Sequence, residues 1–329
     1  MTAGHGGPAR PALVAALVAA LALVAVLAGC SDAPPPAPAG TPAPVQAPAS
    51  FPAPAPASAS STAAPGPVPV PAGVRYAALG DSYTSSPSTG PSAGPPPGCQ
   101  RSTNDYPHVA AARIAAQLTD VSCSGAVTAD LAGPQTTSTG TNAPQLDAVR
   151  RDTQLVSVQI GGNDIGFSEI VRACIDTRGT GTPCRDRYTA GGTDRLRDRI
   201  DELGPVLADA LAQVRRRAPQ ARVLVVGYPS LLPVEGPGCF PSLPYTPGDV
   251  VYLRGVVTAL NREIADRAGA AGATFVDTAT PTAGHDMCQV TGERWIEGLL
   301  PQSPAAPVHP NALGQEALAR AVVAAVGAT

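Results

Sequence analysis

After residue 73, short, mostly apolar runs alternate with amphipathic helical segments, and this alternation limits the chain to few folds. Apolar runs that end near a glycine are typical of buried parallel strands. Parallel strands joined by helices need right-handed crossovers, which place helices on both faces of the sheet. The sequence therefore predicts one three-layer α/β/α domain over 73–329, with a mostly parallel five-stranded sheet. Strands are expected at 74–79, 121–124, 155–160, 222–226 and 273–276, and helices at 106–118, 196–214 (split or kinked at Gly204-Pro205), 253–264 and 313–323.

The first 72 residues differ in composition from the rest of the chain. An uncharged run over 12–28 ends in Leu27-Ala28-Gly29-Cys30, which resembles the lipobox of bacterial lipoproteins. We expect 1–29 to be a lipoprotein signal peptide and Cys30 to carry the lipid; a retained membrane helix or a simple secretory signal are the alternatives. Residues 30–72 are rich in Pro, Ala and Ser, which predicts a disordered stalk. The protein is therefore expected outside the cytoplasm, lipid-anchored at the membrane or secreted.

The number of cysteines supports export, because an even number remains for disulfides once Cys30 is lipidated. The chain has seven cysteines in all. No Cys-x-x-Cys pair occurs among the others, so a zinc or thioredoxin-type site is not indicated, and an oxidising compartment predicts three disulfides. The six are Cys99, Cys123, Cys174, Cys184, Cys239 and Cys288, and the residue pattern leaves their pairing open. A net charge of −3 gives no case for nucleic acid as a partner.

Three residues suited to acyl transfer each follow a predicted strand: Ser82, Gly125 and Asn163. The carboxyl ends of parallel strands meet at one edge of a sheet, so these residues are expected to lie close together. Ser82 is the candidate nucleophile, and the backbone N–H groups of Ser82 and Gly125 with the side-chain amide of Asn163 are candidate oxyanion donors. The simpler alternatives are a serine that caps a helix and an asparagine in a turn.

A serine nucleophile needs a base, and the chain has four histidines. His5 lies in the predicted signal peptide, His108 is expected at the surface, and His285 lies beside a predicted disulfide. His309 precedes the last helix, where Asn311 is placed to cap it. A loop after the last strand lies at the same sheet edge as Ser82, so His309 is the candidate base.

These residues occur in four ordered blocks: Gly80-Asp81-Ser82-Tyr83, Gly125, Gly162-Asn163-Asp164 and His309-Pro310-Asn311. The set resembles the SGNH (GDSL) hydrolases, closest to their secreted actinobacterial lipase/esterase branch. The resemblance implies a flavodoxin-like fold, a Ser82–His309 pair, the three oxyanion donors above, and no metal or organic cofactor. It also implies the disulfides Cys99–Cys123, Cys174–Cys184 and Cys239–Cys288.

The chain departs from the family pattern at Ala306, where many members carry the aspartate that orients the histidine. In similar secreted esterases a main-chain carbonyl orients the histidine instead, and the resemblance assigns this role to the carbonyl of Ala306. Asp277 and Asp286 are the alternative partners of His309, although each also fits a turn or cap.

The resemblance predicts a serine esterase or lipase that acts on a small-molecule or lipid ester through an acyl-enzyme, with a monomer expected. The competing hypothesis is a non-catalytic stalked lipoprotein that binds envelope lipid or glycan. The segment 231–245, rich in Leu, Pro and aromatic residues, either walls an acyl groove or packs over the sheet edge.

Overall fold

The computed structural model of the protein describes residues 70–327, so the predicted signal peptide, Cys30 and nearly all of the predicted stalk lie outside the described residues. The strands are β1 (Arg75–Gly80), β2 (Gln117–Asp120), β3 (Gln135–Thr137), β4 (Gly140–Asn142), β5 (Leu155–Gln159), β6 (Arg222–Val226) and β7 (Thr274–Val276). Five of them form a parallel sheet in the order β2-β1-β5-β6-β7, while β3 and β4 form a separate antiparallel pair. The connections change direction between β1 and β5, and in open α/β sheets ligands bind at such a point.

Helices cover both faces of this sheet, which confirms the predicted α/β/α layers. They are α1 (Ser82–Ser85), α2 (Tyr106–Arg113), α3 (Phe167–Ala173), α4 (Pro183–Thr189), α5 (Arg195–Arg217), α6 (Pro247–Ala270), α7 (Ala279–Thr282) and α8 (Ala312–Ala325). Helices α5 and α6 pack on one face and α2 and α8 on the other. Strand β6 serves both layers, because Val223 and Val225 join the first core and Leu224 and Val226 the second.

The second strand lies four residues earlier than predicted. Helix α2 ends at Arg113, because the chain reverses at Ala115, whose φ of +50° is left-handed. Residues 117–120 then pair with β1, and the first two of them, 117–118, had been assigned to the helix from the sequence. The predicted run at 121–124 continues along the same edge, since the backbone N–H groups of Val121 and Cys123 donate to the carbonyl oxygens of Ala78 and Gly80 at 3.0 Å.

Helix α5 continues through Gly204-Pro205, so the expected split does not occur. Leu203 and Leu207 on either side of the pair are buried in the core, and the packing of this apolar face outweighs the hydrogen bond that the proline cannot donate. None of the helices within 70–327 combines the length and apolar character needed to cross a membrane.

The three disulfides connect the pairs that the family resemblance implied. They are Cys99–Cys123, Cys174–Cys184 and Cys239–Cys288. The first joins the loop before α2 to the segment that follows β2, close to Gly125. Three disulfides in one domain fit an oxidising compartment.

Candidate active site

Ser82 begins the short helix α1 directly after β1. Asp81 caps this helix, because its carboxylate accepts a hydrogen bond from the backbone N–H of Tyr83 at 2.9 Å. Gly80 is required at the strand end, since a Cβ there would lie 2.6 Å from the carbonyl oxygen of Gln159. This turn places Ser82, which is 8% exposed, at the carboxyl edge of the sheet.

The imidazole of His309 lies against the Ser82 hydroxyl. Its Nε2 is 2.7 Å from Ser82 Oγ, and its Nδ1 is 2.8 Å from the carbonyl oxygen of Pro307. The Pro307 contact fixes the tautomer, with the proton on Nδ1 and the lone pair on Nε2 directed at the hydroxyl. The pair is therefore arranged for proton transfer from serine to histidine.

The prediction that the Ala306 carbonyl orients His309 is wrong by one residue. The Ala306 oxygen accepts the backbone N–H of His309 at 3.2 Å, so it closes a turn. Val308, within this turn, has a left-handed φ of +63°. As a result the carbonyl of Pro307, which lies between Ala306 and Val308 in the sequence, faces the imidazole. A non-glycine residue in this conformation is uncommon and is not readable from a Val-His-Pro sequence.

The two alternative aspartates have other partners. Asp277 accepts the backbone N–H groups of Ala279 and Thr280 at 2.9 and 3.2 Å. Asp286 is buried and accepts the backbone N–H of Cys288 at 2.9 Å. Among the hydrogen bonds of residues 70–327, neither carboxylate reaches His309.

The candidate oxyanion donors lie on neighbouring loops that are tied to each other. The side-chain amide of Asn163 donates to the carbonyl oxygen of Ala126 at 2.9 Å, one residue beyond Gly125. The carboxylate of Asp164 accepts the backbone N–H of Thr128 from the same loop at 3.0 Å. Gly125 itself has a φ of +80°, which favours glycine.

Three N–H groups of these donors are left for a ligand. Within the part of the chain that the structure describes, the backbone N–H groups of Ser82 and Gly125 have no hydrogen-bond acceptor. The Asn163 amide makes one hydrogen bond there, so its second N–H is unused. Unsatisfied N–H groups beside a nucleophile are what an oxyanion hole requires.

The site is desolvated, which sets its protonation states. Burial lowers the pKa of His309 below its ordinary value, although the hydrogen bond to Pro307 opposes this shift. The imidazole is therefore neutral, and able to act as a base, at neutral pH. The ring of Tyr83 lies 4.8 Å from the imidazole, and its hydroxyl donates to the carbonyl oxygen of Val308 at 2.7 Å.

Sequence reasoning missed two residues of the site, Asp81 and Tyr228. The hydroxyl of Tyr228 donates to the carboxylate of Asp81 at 2.5 Å and accepts the backbone N–H of Gly162 at 2.7 Å. Asp81 is 1% exposed, and burial raises its pKa to about 7. The available signal was a tyrosine directly after the buried strand β6, the same placement that marked Ser82 and Asn163.

A narrow apolar cavity of about 50 Å³ adjoins the site. Gly162 and Val308, the neighbours of Asn163 and His309, belong to its wall. The segment 231–245 both packs in the core and lines this cavity, through Leu231, Leu232 and Tyr245. The remaining lining residues are Ile165, Phe167, Ile170, Val171, Tyr228, Leu253, Val256, Val257, Leu260 and Met287.

A serine hydroxyl paired with a neutral histidine, beside free N–H donors at the edge of a parallel sheet, defines an α/β serine hydrolase that acts on acyl groups. The comparisons with known proteins agree with this class. Residues 78–317 match the sequence model of the GDSL-like Lipase/Acylhydrolase family. The chain belongs to this family and is a carboxylic ester hydrolase.

Several relatives come from the genus Streptomyces. Lipase 2 of Streptomyces coelicolor is 42% identical over 258 residues, covering 77% of this chain and 85% of the relative. The crystal structure of an extracellular lipase from Streptomyces rimosus is 29% identical with a TM-score of 0.62, covering 77% of this chain and 99% of that one. A phospholipase A1 structure from Streptomyces albidoflavus is 29% identical with a TM-score of 0.61, covering 76% and 98%.

Proposed function

We propose that the protein is an extracellular, lipid-anchored esterase that cleaves acyl esters of lipids through an acyl-enzyme on Ser82. The observation that carries this proposal is the 2.7 Å contact between Ser82 Oγ and His309 Nε2. The lipase and phospholipase A1 relatives support lipid esters as the substrate class.

The proposed mechanism has two steps. His309 removes the proton of Ser82, and the hydroxyl oxygen attacks the ester carbonyl carbon while the N–H groups of Ser82, Gly125 and Asn163 hold the oxyanion. His309 then protonates the leaving alcohol, and a water activated by the same imidazole releases the acid from Ser82. The Pro307 carbonyl orients the imidazole but carries no full charge to stabilise the imidazolium.

The apolar cavity is the proposed acyl site. It adjoins Asn163 and His309 through their neighbours and is lined almost entirely by aliphatic and aromatic side chains, which favours an acyl chain over a sugar. A panel of esters that differ only in acyl length tests this assignment. We expect kcat/KM to depend steeply on length, and a flat profile would exclude the cavity as the acyl site.

Turnover of a chromogenic ester by two variants tests the catalytic pair. We expect Ser82→Ala and His309→Ala each to lose at least a thousandfold in kcat, because a triad-type pair acts as a unit. Ser88→Ala is the matched control, since this exposed serine in the turn after α1 makes no side-chain hydrogen bond among the described residues. Retained turnover in Ser82→Ala would refute Ser82 as the nucleophile, whereas no turnover of any ester by the wild-type protein would favour the competing non-catalytic lipoprotein.

Membrane attachment is proposed from the lipobox-like Leu27-Ala28-Gly29-Cys30 and the Pro/Ala-rich segment that follows it. At roughly 3.1 Å per residue in the polyproline conformation, such a segment reaches on the order of 100 Å from the membrane. We expect the wild-type protein in the membrane fraction and Cys30→Ser in the soluble extracellular fraction or retained as precursor. Identical fractionation of the two proteins, with Cys30→Ser cleaved to the same size as the wild type, would exclude the lipid anchor.

A further inference from the structure

We infer that Tyr228 is a positioning residue that fixes the turn containing Ser82 relative to the loop containing Asn163. The inference rests on the proposed roles of Ser82 and Asn163. These two donors belong to separate segments, one after β1 and the other after β5, and no covalent link joins the segments locally. Their relative position must nevertheless be maintained to fractions of an ångström for both N–H groups to reach one oxyanion.

The last backbone hydrogen bond between β1 and β5 runs from the Asp81 N–H to the Gln159 carbonyl oxygen at 3.0 Å, and beyond it the Tyr228 hydroxyl bridges the two segments. Tyr228 donates to Asp81, the residue before Ser82, at 2.5 Å, and it accepts the backbone N–H of Gly162, the residue before Asn163, at 2.7 Å. Gly162 makes the second contact possible, because a Cβ there would lie 2.9 Å from the Tyr228 hydroxyl. Both proposed donors are thus one residue away from the same oxygen atom.

The tyrosine is itself held firmly. Its backbone N–H and carbonyl both bond to the side-chain amide of Asn261 on α6, each at 2.8 Å. The carbonyl oxygen of the preceding Gly227 accepts from Gln159 at 2.7 Å. The ring of Tyr83 meets the Tyr228 ring edge-on with the centroids 5.1 Å apart. A bridge anchored in this way transmits the geometry of β6 to the oxyanion hole.

The free-energy cost of burying the Asp81 carboxylate indicates that the Tyr228 bridge serves more than packing. The Asp81 carboxylate is buried and accepts hydrogen bonds from the Tyr83 backbone N–H and the Tyr228 hydroxyl. Among residues 70–327, no cationic side chain bonds to it. Retaining such a group in place of an apolar one costs stability. Its effect on the placement of Ser82 and Asn163 is a physical reason for keeping it.

The expected signature is a loss in kcat without a rise in KM. Oxyanion donors are used in the transition state, so a misplaced donor lowers kcat while substrate binding is unchanged. Removing one donor outright costs about 10²–10³ in rate. Tyr228→Phe misplaces donors rather than deleting them, and it keeps the ring that lines the cavity, so we expect kcat to fall about 10- to 100-fold with KM within about twofold.

Tyr76→Phe is the matched control. Tyr76 is equally buried and its hydroxyl also makes a 2.7 Å hydrogen bond, to Ser157, but it lies in the core on the other face of the sheet. Both variants should lose stability by thermal melting, Tyr228→Phe the more because its hydroxyl makes two hydrogen bonds, and only Tyr228→Phe should lose kcat. If Tyr228→Phe does not fold, Asp81→Asn is measured instead, because it keeps a capping oxygen for α1 and removes the carboxylate that accepts from Tyr228.

A double variant distinguishes positioning from general destabilisation. If Tyr228 acts through Asn163, Tyr228→Phe should cost much less in the Asn163→Ala background than in the wild type. Three outcomes would each overturn the inference. They are an equal fold-loss from Tyr228→Phe in the wild type and in Asn163→Ala, an unchanged kcat in Tyr228→Phe, and a rise in its KM with kcat retained. An active Ser82→Ala would instead refute the proposed function, so the two failures are distinguishable.

Discussion

At the scale of the residue, the proposed base is tuned by burial rather than by a carboxylate. Since burial lowers the pKa of His309, the imidazole stays neutral at a lower pH than a free histidine, whose pKa is about 6.5. We therefore expect the acid limb of kcat/KM to have its midpoint below pH 6.5. A pH profile with a soluble short-chain ester measures this, and a midpoint above 6.5 would contradict it.

The same residue-scale geometry predicts that Asp277 is dispensable for the chemistry. Its carboxylate accepts two backbone N–H groups at the start of α7, and an asparagine oxygen can do the same. We expect Asp277→Asn to keep kcat and KM within about twofold of the wild type. A loss of tenfold or more in a variant that melts normally would mean that Asp277 reaches His309 during turnover.

The residues that sequence reasoning located were those whose position follows from topology. Ser82 follows a buried strand and His309 lies in the loop before the last helix, so the convergence of loops at one sheet edge predicts the contact that joins them. The carbonyl facing His309 was misassigned because it depends on the left-handed φ of Val308, which no local pattern announces. The contacts of Tyr228 were missed because they are long-range. Nothing in the sequence around a tyrosine that follows a strand indicates that its hydroxyl will bond to Asp81 and Gly162.

At the scale of the element, the Cys99–Cys123 disulfide supports the segment that leads to Gly125. Closing a loop of this length is worth about 3 kcal/mol in the chain-entropy account. We expect the double variant Cys99→Ser/Cys123→Ser to lose about that much stability and also kcat, because the segment that leads to Gly125 would no longer be tied to the loop before α2. Urea unfolding and ester turnover measure the two effects.

The disulfide Cys174–Cys184 supplies the control for that experiment. Its sequence separation is 10, against 24 for Cys99–Cys123, and because the loop entropy depends only on the logarithm of this length, its removal should cost a similar stability. It joins the C-terminal end of α3 to α4 rather than the segment that leads to Gly125. We expect Cys174→Ser/Cys184→Ser to lose stability while keeping kcat. Equal losses of kcat in both double variants would mean that the first disulfide has no specific role at Gly125.

Element boundaries were less predictable than element types, and the reasons are tertiary. The sequence extended α2 over 117–118 because Leu118 fits a helical pattern, whereas pairing with the edge of β1 takes those residues into β2. Pro205 was expected to interrupt α5, but the buried leucines around it hold the helix in one piece. In both places long-range packing overrides a correct local signal.

At the scale of the whole molecule, buried carboxyl groups make stability depend on pH. Burial raises the pKa of Asp81 and Asp120 to about 7 and that of Asp105 to about 8. Between about pH 4 and pH 8 the folded protein therefore holds protons that the unfolded chain releases, and stability falls as the pH rises. His108 and His309, whose pKa values burial lowers, have the opposite sign, but their effect is confined to pH values below about 7, where a free histidine takes up its proton. We expect the melting temperature to be higher at pH 6 than at pH 8.5.

A variant of Asp105 tests the cause of this slope. Ionisable atoms of Asp105, His108 and Asp120 lie within 4.8 Å of one another, and one oxygen of each aspartate has no hydrogen-bond partner among residues 70–327. Asp105→Asn keeps a cap for α2 and cannot ionise, so we expect it to flatten the slope and raise the melting temperature at pH 8.5. An unchanged slope would mean that this cluster does not control the pH response.

The two reacting side chains are separated by 227 positions, one at the start of the folded domain and the other just before its last helix. The chain must be made as far as His309, and its sheet must close, before hydroxyl and imidazole can meet. A product truncated before His309 therefore lacks the candidate base, and the catalytic pair is a property of the folded domain rather than of any local segment.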